Sequence, residues 1–434
     1  MKFKEVFLLV LVIAAGVFFY HAQTGKINIS FDWDDGLFFS YEEFTFQESQ
    51  ELAPPFPREL QIINAHSDLT IEGNDQNKIQ ILFKKKIRRR NEVEAKEVAD
   101  RLRMIINEDN HRITVSTNRS DFKRKRFRTD FHILIPAGMN IIVKNSFGMV
   151  KASNTGNADI FNTHGKVFAT DIEGNLILQN SYQDVTIENI LYDCQLESRH
   201  STVSACGIKG NTLIVHRYGR IHLEDLSQTL TIEGSHSKIF GQNITGPADI
   251  ESSYKKISLI DIGPVVVRGN HSPIDIQDAR GSVEINDHYS QVELENIGGD
   301  LNIIGKNTGV SAKYIRANII NINTTYKNIS LEDFTGKTSI TLSHGDIILD
   351  PAPLTHSIEV KAAYSGIIFL WPDKEQYLFE AQTKYGDIQW NLPEEPSVRL
   401  TNGNSIVKAF MDKEQSRAIR LSTSYETILV KENK

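Results

Sequence analysis

From Phe147 to Tyr385 the chain repeats one pattern of apolar and polar positions about every 18 residues. An aromatic residue or His comes first, Val or Ile follows three residues later, and a residue that is usually apolar follows two after that. The series runs Phe147/Val150/Ala152, His164/Val167/Ala169, Tyr182/Val185/Ile187 and His200/Val203/Ala205, and continues through Tyr218, His236, Tyr254, His271, Tyr289, Asn307, Tyr326, His344 and Tyr364 to Tyr385/Ile388/Trp390. Positions three and five share a face, as a strand requires. Position seven is often Asn or Asp (Asn189, Asp225, Asn243, Asp278), position eight is apolar (Ile190, Leu226, Ile244), and Gly recurs near position ten (Gly174, Gly210, Gly246). Those residue types tolerate the left-handed backbone of a tight bend. A second strand follows, with inward pairs such as Leu176/Leu178 and Leu230/Ile232. One such coil cannot bury its apolar face alone, so the stack is the folding unit.

The pattern therefore predicts an all-β fold, a single-chain parallel β-helix (β-solenoid) with ~18-residue coils joined through parallel ladders. Tyr and His alternate at the marker position. One coil per repeat interleaves them in one ladder, whereas a coil twice as long separates them onto opposite edges. The shorter coil is preferred because its perimeter encloses a core that side chains can fill; the longer one stays the alternative.

Outside the array the pattern changes. His66, Leu69, Ile71 and Gly73 form an early copy, after which residues 91–106 show helical spacing, with Val98, Leu102 and Ile105 or Ile106 on one face. Ile27, Ile29, Phe31 and Trp33 alternate before Asp34-Asp35-Gly36, a hairpin signal, and Pro54–Pro57 reads as a stiff linker. The aromatic stretch Phe31–Phe46 suits a cover for the first coil. Pro393 and Pro396 break the frame, and Tyr425/Ile428/Val430 is a last copy. The expected organisation is 1–5 cytoplasmic tip, 6–22 transmembrane or signal anchor, 23–59 aromatic cap and linker, 60–140 start of the solenoid with an inserted helix over 91–106, 141–392 regular repeats, and 393–434 C-terminal cap.

Lys2 and Lys4 precede the apolar run Val6–Tyr20, which places the tip inside and the body outside the cytoplasm. The exit from that run lacks a small-x-small site and is aromatic, which favours an uncleaved anchor over a cleaved signal. The net charge of −7 exerts no global pull toward nucleic acid. Cys194 and Cys206 fall on different columns of the repeat, so no bridge between them is expected.

Four features carry candidate chemistry. The His series could ligate metal, but Tyr lies between successive His, so a turn position favouring flat polar rings is the better reading. The Asn/Asp column includes the pairs Glu224-Asp225 and Glu332-Asp333; these are isolated, and turn chemistry explains the column. The basic runs Lys84, Lys85, Lys86, Arg88, Arg89, Arg90 and Lys123, Arg124, Lys125, Arg126, Arg128 flank the inserted helix and suit an anionic polymer or lipid. The N-terminal aromatics suit a partner or a cap. Phosphate-loop, dinucleotide, zinc-type and nucleophile-elbow motifs are lacking, and neither cofactor nor metal is expected.

Taken with the helix signal over 91–106, the segments His66–Gly73, Phe131–Gly138, His344–Leu349 and Tyr385–Gln389 resemble the bacterial candidate-adhesin family with β-strand repeats, which carries a domain-of-unknown-function label and is related to auto-transporter adhesin head domains. The resemblance covers about 60–392. It implies a parallel β-helix on the outer face of a bacterial membrane and no catalytic residues. The chain departs from the family in placing His and Tyr where Ser or Thr more often precedes Gly. The expected function is a non-catalytic adhesin-like binding or scaffolding surface, with envelope polysaccharide, anionic lipid or another envelope protein as partner. The alternatives are an envelope-stress sensor binding anionic polymer, and a β-helix polysaccharide lyase or hydrolase.

Overall fold

The computed structural model describes residues 41–123, 125–402, 404–411 and 417–433. The apolar run 6–22 and the stretch 27–40 lie outside them. Among the described residues no helix is long and apolar enough to cross a membrane.

Each coil of the regular array contains two inward-facing strand segments that pair in parallel with the same segments of the next coil. Val185 lies opposite Val203 and Ile187 opposite Ala205, while on the other side Leu176 lies opposite Cys194 and Leu178 opposite Leu196. The register step is thus one repeat, and the shorter coil is the one adopted. Columns three, five and eight of the first segment point inward, as Val185, Ile187 and Ile190 show, and Leu176 and Leu178 face them from the second; all are buried.

A further inward column is polar. It lies two residues before the aromatic marker and contains Asn145, Asn162, Asn180, Ser198, His216, Ser252, Asp287 and Thr324, all buried. Asn162 Nδ2 donates to the carbonyls of Gly148 and Gly165, each at 3.0 Å, and Asn180 Nδ2 donates to Gln183 O at 2.9 Å. These amides satisfy turn carbonyls that would otherwise be buried unpaired, at a penalty of roughly 1–3 kcal/mol each. The turns are packed backbone to backbone: a Cβ on Gly165 would fall 1.8 Å from the Gly148 carbonyl oxygen.

Two corners of the coil lie in left-handed space. Asn189, Asp225 and Asn243 have φ of 58°, 57° and 52°, and the markers Tyr182, His200 and Tyr218 have 67°, 52° and 62°. For a non-glycine residue this costs about 1–2 kcal/mol. The cost recurs in successive coils, so something at each corner must offset it. At the marker corner the buried polar column does so together with ring stacking.

Both ends fold back. The strands Glu59–Ile63 and Ser67–Asn74 come first in sequence order within the array but second in space. The outer coil is built from the insertion, through Arg112–Thr117 and Phe127–Pro136. Ile79–Arg89 then pairs antiparallel with Phe127–Pro136, and Glu42–Leu52 pairs antiparallel with Ile79–Arg89. At the other end Ala418–Ser424 lies between Ile358–Ala363 and Leu378–Lys384, parallel to both. Ile428–Glu432 likewise separates Ile367–Trp371 from Ile388–Asn391. The last copy in sequence is therefore the penultimate coil in space. Among the described residues Asn404–Ala409 pairs antiparallel with Leu378–Lys384 and Val398–Asn402 pairs antiparallel with Asn404–Ala409, so the expected cap over 393–434 divides into a cap and an interior coil.

The inserted helix is shorter than its spacing suggests. It spans Glu92–Arg101, with Asn91 accepting from the Glu94 amide at the start. Asn118 ends it: its Nδ2 donates to Arg101 O at 3.0 Å and its Oδ1 accepts from the Arg103 amide at 2.8 Å. Met104–Glu108 is instead a strand antiparallel to Arg112–Thr117, because that pairing gives its backbone a ladder of partners. Cys194 is buried inward, Cys206 faces outward, and both are free thiols.

Candidate functional site

The marker residues form one stack of rings. His66, Phe147, His164, Tyr182, His200, Tyr218, His236, Tyr254, His271 and Tyr289 stack in unbroken succession, with centroids 4.5–5.5 Å apart and planes within 25° of parallel. Asn307 interrupts it. A shorter stack follows through Tyr326, His344, Tyr364, Tyr425 and Tyr385, in the spatial order that the inserted coil imposes. Tyr182 is 54% and Tyr289 55% exposed. Inside a stack each ring face meets the next ring, so Tyr182 offers edges, whereas Tyr289 ends its stack beside Asn307. The interior of the stack is therefore no platform for a flat ligand. Its contribution is structural, about 0.5–1.5 kcal/mol per ring pair.

The position-seven column is a corner ladder. Asn189 Nδ2 donates to Asp171 at 2.9 Å, and Asn243 and Asn296 make the same bond to Asp225 and Asp278. The alternation of amide and carboxylate lets one coil donate to the coil before it. Glu332 pairs with Lys313 at 2.7 Å and Asp333 with Arg316 at 2.8 Å, so basic partners from the preceding coil do stand beside that acidic pair. Among the described residues no three His, Cys, Asp or Glu converge as metal ligands.

The two basic runs come together on adjacent strands, with Lys86 opposite Arg128. Acidic neighbours meet them. Lys85 is buried, with Nζ 2.9 Å from Glu48 and 3.0 Å from Ala99 O at the end of the helix. Lys86 pairs with Asp130, Arg88 with Glu43 at 3.2 Å, and Arg128 with both oxygens of Asp68 at 3.1 Å. Arg89 donates to the carbonyls of Arg88 and Arg126, and Arg126 lies 5.0 Å over the Tyr41 ring. Lys84 is half-buried, Arg90, Lys123 and Lys125 are exposed, and Arg124 lies outside the described residues. Glu42–Leu52 is acidic where Ile79–Arg89 is basic, so charge fixes their partnership. Burial, with Arg119, Lys125 and Arg128 nearby, holds the His66 imidazole below its ordinary pKa.

Elsewhere the outward face of the second sheet forms a groove of about 720 Å³. Its floor spans six successive coils, from Arg112 through Gln61 and Ile63, Ile142 and Lys144, Asp159 and Phe161, and Gln179 to Glu197 and Arg199. Arg199 pairs with Glu197 at 2.9 Å and Arg112 with Glu59 at 3.2 Å. Burial and the Glu59 charge raise the pKa of the Asp159 carboxyl. Phe161 is half-buried at an outward position between two buried ones. The signal for this groove in the sequence is an aromatic, Phe161, on the polar side of a strand alternation.

No curated protein matches the chain. Three solved structures are similar to it in part. A candidate cell adhesion protein from Clostridium sporogenes is 7% identical over 90% of this chain and all of its own, with a TM-score of 0.16. A candidate adhesin from Bacteroides fragilis is 10% identical over 62% of this chain and 97% of its own, with a TM-score of 0.24. One from Parabacteroides merdae is 11% identical over 75% and 96%, with a TM-score of 0.16. The family model described as Toastrack DUF4097, a domain of unknown function, matches residues 58–431, and the chain belongs to that family.

Proposed function

We propose that this protein is a non-catalytic, adhesin-like binding rod of the bacterial cell envelope, held outside the cytoplasmic membrane by its N-terminal apolar segment. The observation that supports it most is the commitment of column after column of polar side chains to the neighbouring coil. The Asn/Asp corner, buried amides such as Asn162 and the ring stack each bind coil to coil. What remains is a long rigid face whose outward side chains stand at the coil spacing of ~4.8 Å. Such a face binds a polymer or a partner by adding weak contacts along its length. Envelope polysaccharide, anionic lipid and another envelope protein are the partner classes.

The full chain mixed with isolated envelope polymers tests the reading, with co-sedimentation and soluble fragments scored in the same tube. Co-sedimentation without fragments is expected. Fragment release would overturn it in favour of a β-helix carbohydrate enzyme.

A further inference from the structure

We propose that the groove centred on Phe161 is a binding site for an uncharged oligosaccharide chain. The inference rests on the binding-rod reading and names its ligand class. Four observations carry it.

The first is shape. A groove of about 720 Å³ that crosses six coils is ~24 Å long at one coil spacing per rung, which suits an extended chain of several sugar rings.

The second is Phe161. It is half-buried on the outward face, between Lys144 and Gln179 of the adjoining coils, and the exposed part of its ring gives the apolar face of a pyranose a surface to rest on. Ile142, opposite Asp159 one coil away, and the exposed Ile63, two coils away beyond Lys144, add separate apolar patches to the floor.

The third is the hydrogen-bonding inventory. Gln179 offers an exposed amide, and Ser146, Thr163 and Ser181 offer a row of hydroxyls one coil apart. Amides and hydroxyls both donate and accept, which is what a polyhydroxylated ligand requires.

The fourth is charge balance. Arg199 and Arg112 are each paired with a glutamate, which leaves Lys144 and Asp159 as opposite charges on neighbouring coils. A polyanion would find no net attraction here. The groove thus differs in kind from the basic strands at the N-terminal end, and its binding should depend little on salt.

The test uses the full chain on an array of uncharged and anionic oligosaccharides at low and high salt, followed by titration of the best binder. Uncharged chains should bind at both salt concentrations. Phe161→Ala should weaken them about tenfold, Phe161→Trp should restore them, and Asp159→Asn should change the ranking of the sugars. Circular dichroism confirms that each variant keeps its strands. Binding of anionic chains alone, lost at high salt, overturns the groove in favour of the basic strands. Undiminished polymer capture by Phe161→Ala overturns the groove while the binding rod stands. Absence of capture by the unmodified chain overturns both.

Discussion

The regular middle and the two ends are built from the same strands by opposite rules of connection. In the middle a segment meets the one 18 residues on, as when Asn189 bonds Asp171. At the ends the partner is far away in sequence: Ser67 bonds Thr129 across 62 residues, and Ser422 bonds Val360 across the same interval. The middle can therefore add coils one at a time, with nearest-neighbour energies. Each end instead needs a distant segment to arrive before its outermost coil has anything to lie on. Antiparallel strands then cover the exposed edge, which the array cannot do for itself.

The largest expected effect comes from attacking an end. Leu421 is buried in the inserted C-terminal coil, with Val360 on one side and Ala381 on the other. Leu421→Asp should cost more than about 4 kcal/mol locally, through a lost apolar contact and a buried charge. Limited proteolysis should cut within 376–411 while 141–350 stays protected. Uniform cleavage along the rod would show that the ends are no more separable than the middle.

A weaker blow separates the middle by pH. His216 is fully buried between Ser201 and Ser237, and burial lowers its pKa from 6.5 to about 4. Between these values the unfolded chain takes up a proton that the folded chain refuses. Stability should therefore fall as pH drops from 6.5 toward 4, by on the order of 3 kcal/mol, with no contribution from this group above that window. Asp287, in the same column, has its carboxyl pKa raised by burial, and so opposes this: its destabilisation grows as pH rises above the ordinary carboxylate value. Melting temperature against pH should show a shallower acid slope in His216→Asn. An unchanged slope would place the acid sensitivity elsewhere.

The smallest effect probes the corner. Tyr218→Ala removes two ring contacts and keeps the left-handed strain, for a loss of about 1–3 kcal/mol. Tyr218→Gly removes the same contacts but relaxes the backbone, and should recover about 1 kcal/mol of that. Equal melting temperatures for the two variants would mean that the backbone carries no strain at that corner.

These contrasts also explain what the sequence revealed. The one-repeat register and the inward apolar columns were legible because both follow from local spacing. The alternation of Tyr and His in one ladder followed from the coil length. The fold-back at each end was not, because a copy such as Tyr425 carries the same pattern wherever it sits in the stack. The helical spacing runs on to Ile106 because Asn118, which stops the helix at Arg101, lies far along the chain. The basic runs are conspicuous, yet in Glu42–Leu52 the aromatic residues, which suit a partner or a cap, draw the eye from the acidic ones that pair with those runs. Phe161 does not stand out in the sequence because its column repeats no letter: Ile63, Lys144, Phe161, Gln179 and Glu197 share a face and nothing else.

The position of the coil at 418–432 gives the rod a keystone. The segment at 378–391 precedes it in the chain but must wait for it in space, so a molecule stopped before residue 418 keeps a raw strand edge at Ile358–Ala363 and Ile367–Trp371. Such an edge can accept a strand from another chain. Closure of the rod thus reports on its own completeness: the finished protein hides its last unpaired ladder inside the stack, and an unfinished one advertises it.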